Sequence, residues 1–441
     1  MLVIQEAPRP RRRKPRSRIG VAIAGGGPIG GMYELGTLRA LDDALEGLDL
    51  TRLDVYVGVS SGSFLAAGLA SGLSTAEMCR IFITGESRPV RFRPETFLRP
   101  AFLEYARRAA ALPRALAQWL AELARHPLEA NWSDLVGRFG ALVPTGLFDN
   151  AAVERFLRQL FETHGRSNDF RQLPRRLYVI AVDLDTGATM RFGAPGQDHV
   201  PISRAVQASA ALPGLYPPVE IDGRWYVDGA LRRTLHASVA MDEDVDMVLG
   251  LNPLVPFDAS LAQQSGREVP RSLVEAGLPM VLSQTFRTLL KSRMQVGLEK
   301  YSTQYPGTDL VLFEPNADDS EMFFTNIFSY DSRRSLTEHA YRVTLDDLRR
   351  RRAEIEPVLL RHGIRLRDEI LEDRSRTLLG GLAPAPPRRM RPIVRLTRAL
   401  DDLEATIAVK RSRGPRPGPR RRAWSSGSGA AGTAHQQSPA P

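Results

Sequence analysis

A serine stands between two glycines in "LDVYVGVSSGSFLAAGLASG", where Gly58-Val59-Ser60-Ser61-Gly62 spells G-x-S-x-G after an apolar run and before a small-residue helix pattern. A serine at such a strand-to-helix corner adopts a strained backbone that lifts its Oγ into solvent. The following helix then points its positive end at any developing negative charge. That is the setting for nucleophilic attack on a carbonyl carbon by Ser60, with Gly58 and Gly62 supporting the motif by admitting close neighbours. The same five residues also describe an ordinary Ser/Gly-rich helix start. Ser61 and Ser63 read as packing residues or helix-start hydroxyls.

A second constellation lies upstream in "VAIAGGGPIGGMYELGTLRAL", where Gly25, Gly27 and Gly30 spell G-x-G-x-x-G. A turn without Cβ atoms brings backbone N–H groups close to any anion. A dinucleotide fold would end its second strand in an acid about twenty positions on, to bind a ribose hydroxyl. Here the second strand ends in the serine corner, and Asp54 stands at its beginning. The N–H groups of Gly25, Gly26, Gly27 and Gly30 are therefore expected to meet an oxyanion, each such donor contributing about 3 kcal/mol in a dry site.

A serine needs a base. "YVDGAL" places Asp228 at a strand end, with Gly229 and Ala230 supporting the turn, a pattern that by itself also fits a plain turn. Of the seven histidines only His236, eight residues beyond Asp228, invites a triad reading, and no motif supports it. An unperturbed carboxylate near ~3.9 is a weak base, so the site must desolvate Asp228 to raise its basicity. The spacing contains no H-E-x-x-H or paired-cysteine pattern, and Asp183 and Asp185 read as strand-turn caps. No metal or cofactor is expected.

These residues need a scaffold. Short apolar strands alternate with helical runs from Ile19 to about Asp246, the signature of an α/β layer fold. Strands are predicted at Gly20–Ala24, Leu53–Val59, Leu177–Asp183, Arg224–Val227 and Asp246–Leu251, so the domain is expected to span 19–252. A helical insertion at about 88–150 carries Phe102, Tyr105, Ala109, Leu116, Trp119 and Leu123 on one face, which fits either a lid or helices packed over the sheet. A mostly helical extension follows at 253–375, with "TDLVLFEP" as one more strand. A linker and short helix occupy 376–409, and 410–441 is a low-complexity basic tail.

Three segments, "GGGPIGGMYELGTLRAL", "GVSSGSFLAAGLA" and "SAALPGLYPPVEIDGRWYVDGAL", together resemble the patatin-like phospholipase family over about Ile19 to Asn252. The resemblance implies a three-layer α/β/α fold and a Ser–Asp dyad without histidine, with Ser60 as nucleophile, Asp228 as base and the glycine turn as oxyanion hole. It implies a hydrolase of fatty acyl esters in phospholipids or glycerides, working through an acyl-serine. Transacylation, polyester or thioester cleavage, and a catalytically silent lipid-binding scaffold are the alternatives. One departure stands out: the family places Arg or Lys before the last glycine of the first motif, and here Ile29 precedes Gly30. Aligned by "MYELG", Gly30 itself takes that place. Either way the cation is missing, and Pro28 removes one donor.

Composition limits the partners. The net charge of +10 is carried by the ends: seven Lys/Arg against Glu6 in 1–18, and seven with no acid from Lys410 onward, leaving −3 for the body. The segment 1–18 is read as a disordered basic arm. Both tails read first as solvated, disordered ends; they also suit an anionic lipid surface electrostatically, which leaves peripheral membrane or lipid-droplet contact through them and the insertion as the functional alternative. No aromatic-interleaved basic groove points to nucleic acid. The single Cys79 excludes an intrachain disulfide and suits a reducing compartment. The glycine-rich stretch after the arm does not read as a secretory signal. Ten of the 22 residues in Val55–Ala76 are Gly, Ser or Thr, too polar a run for a spanning helix. A cytoplasmic protein is expected, and the oligomeric state is left open.

Overall fold

In the computed structural model, the described residues are 1–8, 16–85, 92, 94–102, 105–106, 108–110, 112–114, 117, 143–163, 165–266, 272–324 and 330–380. Of the apolar stripe expected in the insertion, Leu116, Trp119 and Leu123 lie outside them, as do most of the linker and all of the basic tail.

The chain begins with β1 (Leu2–Gln5), then β2 (Ile19–Ile23) and α1 (Gly27–Ala44). Next come β3 (Leu45–Glu46), β4 (Val55–Val59) and α2 (Ser61–Ala70). After the insertion follow β5 (Arg176–Asp183), β6 (Thr189–Phe192), α3 (Ile202–Ser209), β7 (Val219–Ile221), β8 (Arg224–Asp228) and α4 (Ala237–Met241). The remainder holds β9 (Met247–Leu251), α5 (Leu278–Gln304), β10 (Asp309–Phe313), α6 (Tyr330–Arg350) and β11 (Arg365–Leu366). One sheet runs β1-β10-β9-β2-β4-β5-β8-β7, with β6 also on β5. Strands β10, β9, β2, β4 and β5 are mutually parallel, whereas β1, β6, β7 and β8 pair antiparallel. A separate ribbon pairs β3 with β11.

The parallel strands are apolar, apart from Arg176, Asp183 and Asp309 at strand ends, because both faces are covered. On one side Ala22, Val55, Val57, Val59 and Ile180 pack with Ala237 and Val239 of α4 and with Met294 and Tyr301 of α5. On the other side lie α1, α2 and α3, with α6 packed along α1. The result is a three-layer α/β/α arrangement, as the resemblance implied.

Two expected boundaries are corrected. Residues 2–5 are not a disordered arm: β1 pairs antiparallel with β10, and Met1 reaches the Glu314 carbonyl and the Asp347 carboxylate. Four apolar-rich residues suffice for an edge strand when an exposed partner edge waits for them, whatever the charge that follows. Residues 9–15 of the arm lie outside the described residues. Nor does the sheet stop at Asn252. Strand β10 pairs in parallel with β9, and the buried Asn252 amide donates to Glu314 at 2.7 Å. Residues 1–380 form one compact unit.

The later region also holds the helix that carries the glycine turn. Gly36 lets α1 touch α6, since a Cβ there would meet the Thr337 carbonyl at 2.4 Å. Tyr341 donates to the Asp43 carboxylate at 2.8 Å. No helix among the described residues is long and apolar enough to cross a membrane.

Candidate active site

Strand register brings the chemistry together. Val59 pairs with Ile180 across β4–β5, and Ala181 pairs with Asp228 across β5–β8. Ser60 and Asp228 therefore stand level with Ala181, one on each side of β5, about 10 Å apart between backbones on strand spacing alone. Side chains narrow that gap: the Ser60 side chain stands near enough to the Asp228 carboxyl to favour its ionised form.

Ser60 takes φ 49° and ψ −122°, a region that non-glycine residues enter only under constraint, at a cost of about 1–3 kcal/mol. Its surroundings impose it. The Ser60 N–H donates to Ser209 Oγ at 2.9 Å, and Ser209 Oγ donates onward to the Ile180 carbonyl at 2.6 Å. The Ser60 carbonyl accepts from the Ser63 amide at 3.0 Å and the Ser63 hydroxyl at 2.5 Å. The two glycines of the motif are explained by proximity. A Cβ at Gly58 would stand 2.5 Å from Ser63 Cα, and one at Gly62 would stand 2.3 Å from the Ala24 carbonyl. Gly229 is held in the same way against the Ile180 carbonyl.

Asp228 is buried, and its Oδ1 accepts the Ala230 amide at 2.8 Å. Burial pushes its carboxyl up to about 6, opposed by the nearby Ser60 hydroxyl and the Ala230 amide. A carboxylate poised there is far more basic than an exposed one yet still ionised at neutral pH. If Asp228 takes the serine proton, kcat/KM should rise about tenfold per pH unit below ~6 and level off above it. A stopped assay between pH 4.5 and 8 checks this.

The glycine turn completes the convergence. A side chain at Gly25 would collide with Ser60 Cβ at 2.9 Å and Ala230 Cβ at 3.0 Å, so the turn lies between the serine corner and the acid's turn. The expected set of donors needs correction. The Gly26 amide donates to Ser61 Oγ at 3.0 Å, and the Gly30 amide donates to the Gly26 carbonyl at 3.0 Å as the first bond of α1. Neither is open to an oxyanion in this arrangement. Gly30 is needed for room instead, because a Cβ there would meet Pro253 at 2.8 Å. Among the described residues the Gly25 and Gly27 amides find no acceptor, and Gly27 (φ 61°) opens α1. Pro28 sits in the first turn of α1, where a missing N–H leaves no helical bond unmade.

His236 is buried with its Nε2 lacking a partner among the described residues, and burial pulls its ring down to about 3. It is a neutral group and carries no charge at the pH where Asp228 titrates. Asp183 accepts the amides of Asp185 and Thr186 at 3.1 and 3.0 Å, the strand-turn role expected of it.

A sequence model of the patatin-like phospholipase family matches residues 21–241, half of the chain. The chain belongs to the patatin-like phospholipase family. Among curated relatives, an uncharacterized protein of Acanthamoeba polyphaga mimivirus is 24% identical over 232 residues, covering 52% of this chain and 64% of its own. An uncharacterized NTE family protein of Mycobacterium bovis is 28% identical over 240 residues, covering 53% of this chain and 30% of its own. The matches thus span less than two thirds of those relatives' length. Among solved structures, VipD from Legionella pneumophila aligns with TM-score 0.35 and 17% identity over 77% of this chain and 68% of its own. The type III effector ExoU aligns with TM-score 0.33 and 16% identity over 81% of this chain and 58% of its own.

In this patatin-like protein one residue with a clear positional role was not singled out by sequence reasoning. Ser209 accepts the Ser60 amide from 149 positions away. Its signal was present in the "SAALPG" stretch, quoted above only for resemblance. Ser209→Ala strands a buried N–H and should cost about 1–3 kcal/mol of stability. It should also lower kcat/KM roughly tenfold by loosening the elbow. Urea denaturation beside ester kinetics separates the two effects.

Proposed function

We propose that the protein is a serine acyl-ester hydrolase that cleaves fatty acyl esters of phospholipids or glycerides. The observation that carries this reading is the convergence, across β4–β5–β8, of a strained Ser60 with a buried Asp228 beside open glycine amides. Ser60 Oγ attacks the ester carbonyl carbon as its proton passes to Asp228. The carbonyl oxygen becomes an oxyanion facing the Gly25 and Gly27 amides and the N-terminus of α1. The tetrahedral adduct expels the alcohol, which takes the proton from Asp228 and leaves an acyl-serine. Asp228 then accepts a proton from water as the water attacks the acyl carbon, and returns that proton to Ser60 Oγ as the fatty acid departs.

The missing Arg or Lys supports a hydrolase that relies on backbone dipoles alone. Ile29→Arg tests the point in the direction of gain: activity on anionic phospholipids relative to neutral glycerides should rise several-fold if the turn admits a cation. Membrane contact through the basic ends belongs to the same proposal. It predicts that vesicle binding at low salt weakens when 410–441 are deleted. The overall test is a lipid panel with mass-spectrometric detection of released fatty acid, run with and without an alcohol acceptor. Free fatty acid as the main product supports hydrolysis. Acyl transfer to the alcohol with no free acid overturns it.

A further inference from the structure

Glu34 is a fully buried carboxyl that the reaction above does not use. It lies one helical turn beyond Gly30 on the same face of α1, so it points where Gly30 leaves room. That room is filled by Pro253, with Ser61 beside it, whose Oγ would stand 3.6 Å from a Cβ at Gly30. Ser61 Oγ lies 3.4 Å from Glu34 Oε2 and accepts the Gly26 amide at 3.0 Å. Glu34 Oε1 has no hydrogen-bond partner among the described residues.

Two peptide planes of the glycine turn are fixed in different ways. The plane joining Gly26 and Gly27 is held by the helix, because the Gly26 carbonyl accepts from Gly30. In a trans peptide N–H and C=O point oppositely, so the Gly27 N–H is turned out of the N-terminus of α1. The plane joining Gly25 and Gly26 has no helical bond, and a glycine on each side leaves it free to rotate. Its recorded restraint is Ser61 Oγ on the Gly26 N–H.

We propose that Ser61 and the buried Glu34 form a latch that fixes the Gly25–Gly26 peptide and so positions the flanking Gly25 and Gly27 amides beside Ser60. Glu34 is a positioning residue here, acting through Ser61, and the inference rests on the hydrolase reading for its catalytic consequence. Burial raises the Glu34 carboxyl well above the ordinary range, opposed by the Ser61 hydrogen bond, which favours the neutral acid. An amide side chain of the same shape would keep the acceptor that the Ser61 hydroxyl needs, whereas an apolar one would remove it.

The test compares Ser61→Ala, Glu34→Leu and Glu34→Gln in the full chain. The first readout is steady-state hydrolysis of a soluble short-chain nitrophenyl ester. Ser61→Ala and Glu34→Leu should lower kcat roughly 10- to 100-fold, with KM within about twofold, and Glu34→Gln should recover most of that loss. The second readout is amide hydrogen exchange of a peptide covering 24–30, in which the Gly26 amide should exchange at least about tenfold faster in Ser61→Ala. Exchange needs no turnover, so it reads the latch even if the ester is not a substrate. Unchanged exchange in Ser61→Ala overturns the latch. Faster exchange with unchanged kcat overturns its catalytic role, as does a Glu34→Gln variant as impaired as Glu34→Leu. A wild type that neither hydrolyses the ester nor reacts with a fluorophosphonate sinks the hydrolase reading instead. Ser61→Ala carries the test alone if Glu34→Leu fails to fold.

Discussion

Ser60→Ala is expected to lower kcat/KM for ester hydrolysis by at least about 10³-fold while leaving a folded protein. The loss follows from chemistry: among the described residues Ser60 is the hydroxyl that the Asp228 carboxyl feels, so acyl transfer to the chain loses its donor. Ser61 Oγ is engaged with Gly26 and Ser63 Oγ with the Ser60 carbonyl. Residual activity should come from the open glycine amides acting on water. The backbone adds a second expectation. Ser60 holds φ 49°, which glycine adopts freely, so Ser60→Gly should be inactive yet more stable than wild type, by up to about 1 kcal/mol. Burst-phase kinetics and urea denaturation on the two variants check both halves.

Asp228→Asn should have the next largest effect, a loss of roughly 10²–10⁴-fold in kcat, because asparagine accepts no proton at any working pH. It keeps the shape and an oxygen for the Ala230 amide, so the site should remain assembled. Stability should move the other way. The folded carboxyl titrates near 6 rather than 3.8, so the folded state binds its proton more tightly than the unfolded chain does. The contribution of Asp228 to stability is therefore fully present below ~3.8 and is lost as pH rises through 6. Above that, holding the buried carboxylate costs up to about 3 kcal/mol. Asparagine removes the cost. The variant should exceed wild type by about 1–3 kcal/mol at pH 8, and the gap should close toward pH 4. A variant less stable than wild type at pH 8 would mean that Asp228 is not held against its own ionisation.

Much of the site was legible in the sequence because close approach leaves a compositional mark. Gly58, Gly62 and Gly229 are glycine where backbone carbonyls come within a Cβ's reach, and that fixes their spacing around Ser60 and Asp228. The central strands were legible because burial on both faces makes them continuously apolar. What was not legible depends on long-range pairing. Leu2–Gln5 reads as the start of a charged arm, and only the distant Leu310–Phe313 edge makes it a strand. Nor can a glycine's type show whether its amide is already spoken for. Gly26 and Gly30 looked as available as Gly25 and Gly27 until Ser61 and the first turn of α1 claimed them. Ser209 and Glu34 were hidden for the same reason, since each acts through a contact that chain order does not announce.

The central claim is that Ser60 carries the acyl group. The most direct measurement is intact-protein and peptide mass spectrometry after rapid quenching with an activated acyl ester. The account predicts one acyl adduct, on Ser60, absent from Ser60→Ala and accumulating in Asp228→Asn if that variant still acylates. Steady fatty acid release by wild type with no adduct at Ser60, or with the adduct on another side chain, would contradict it.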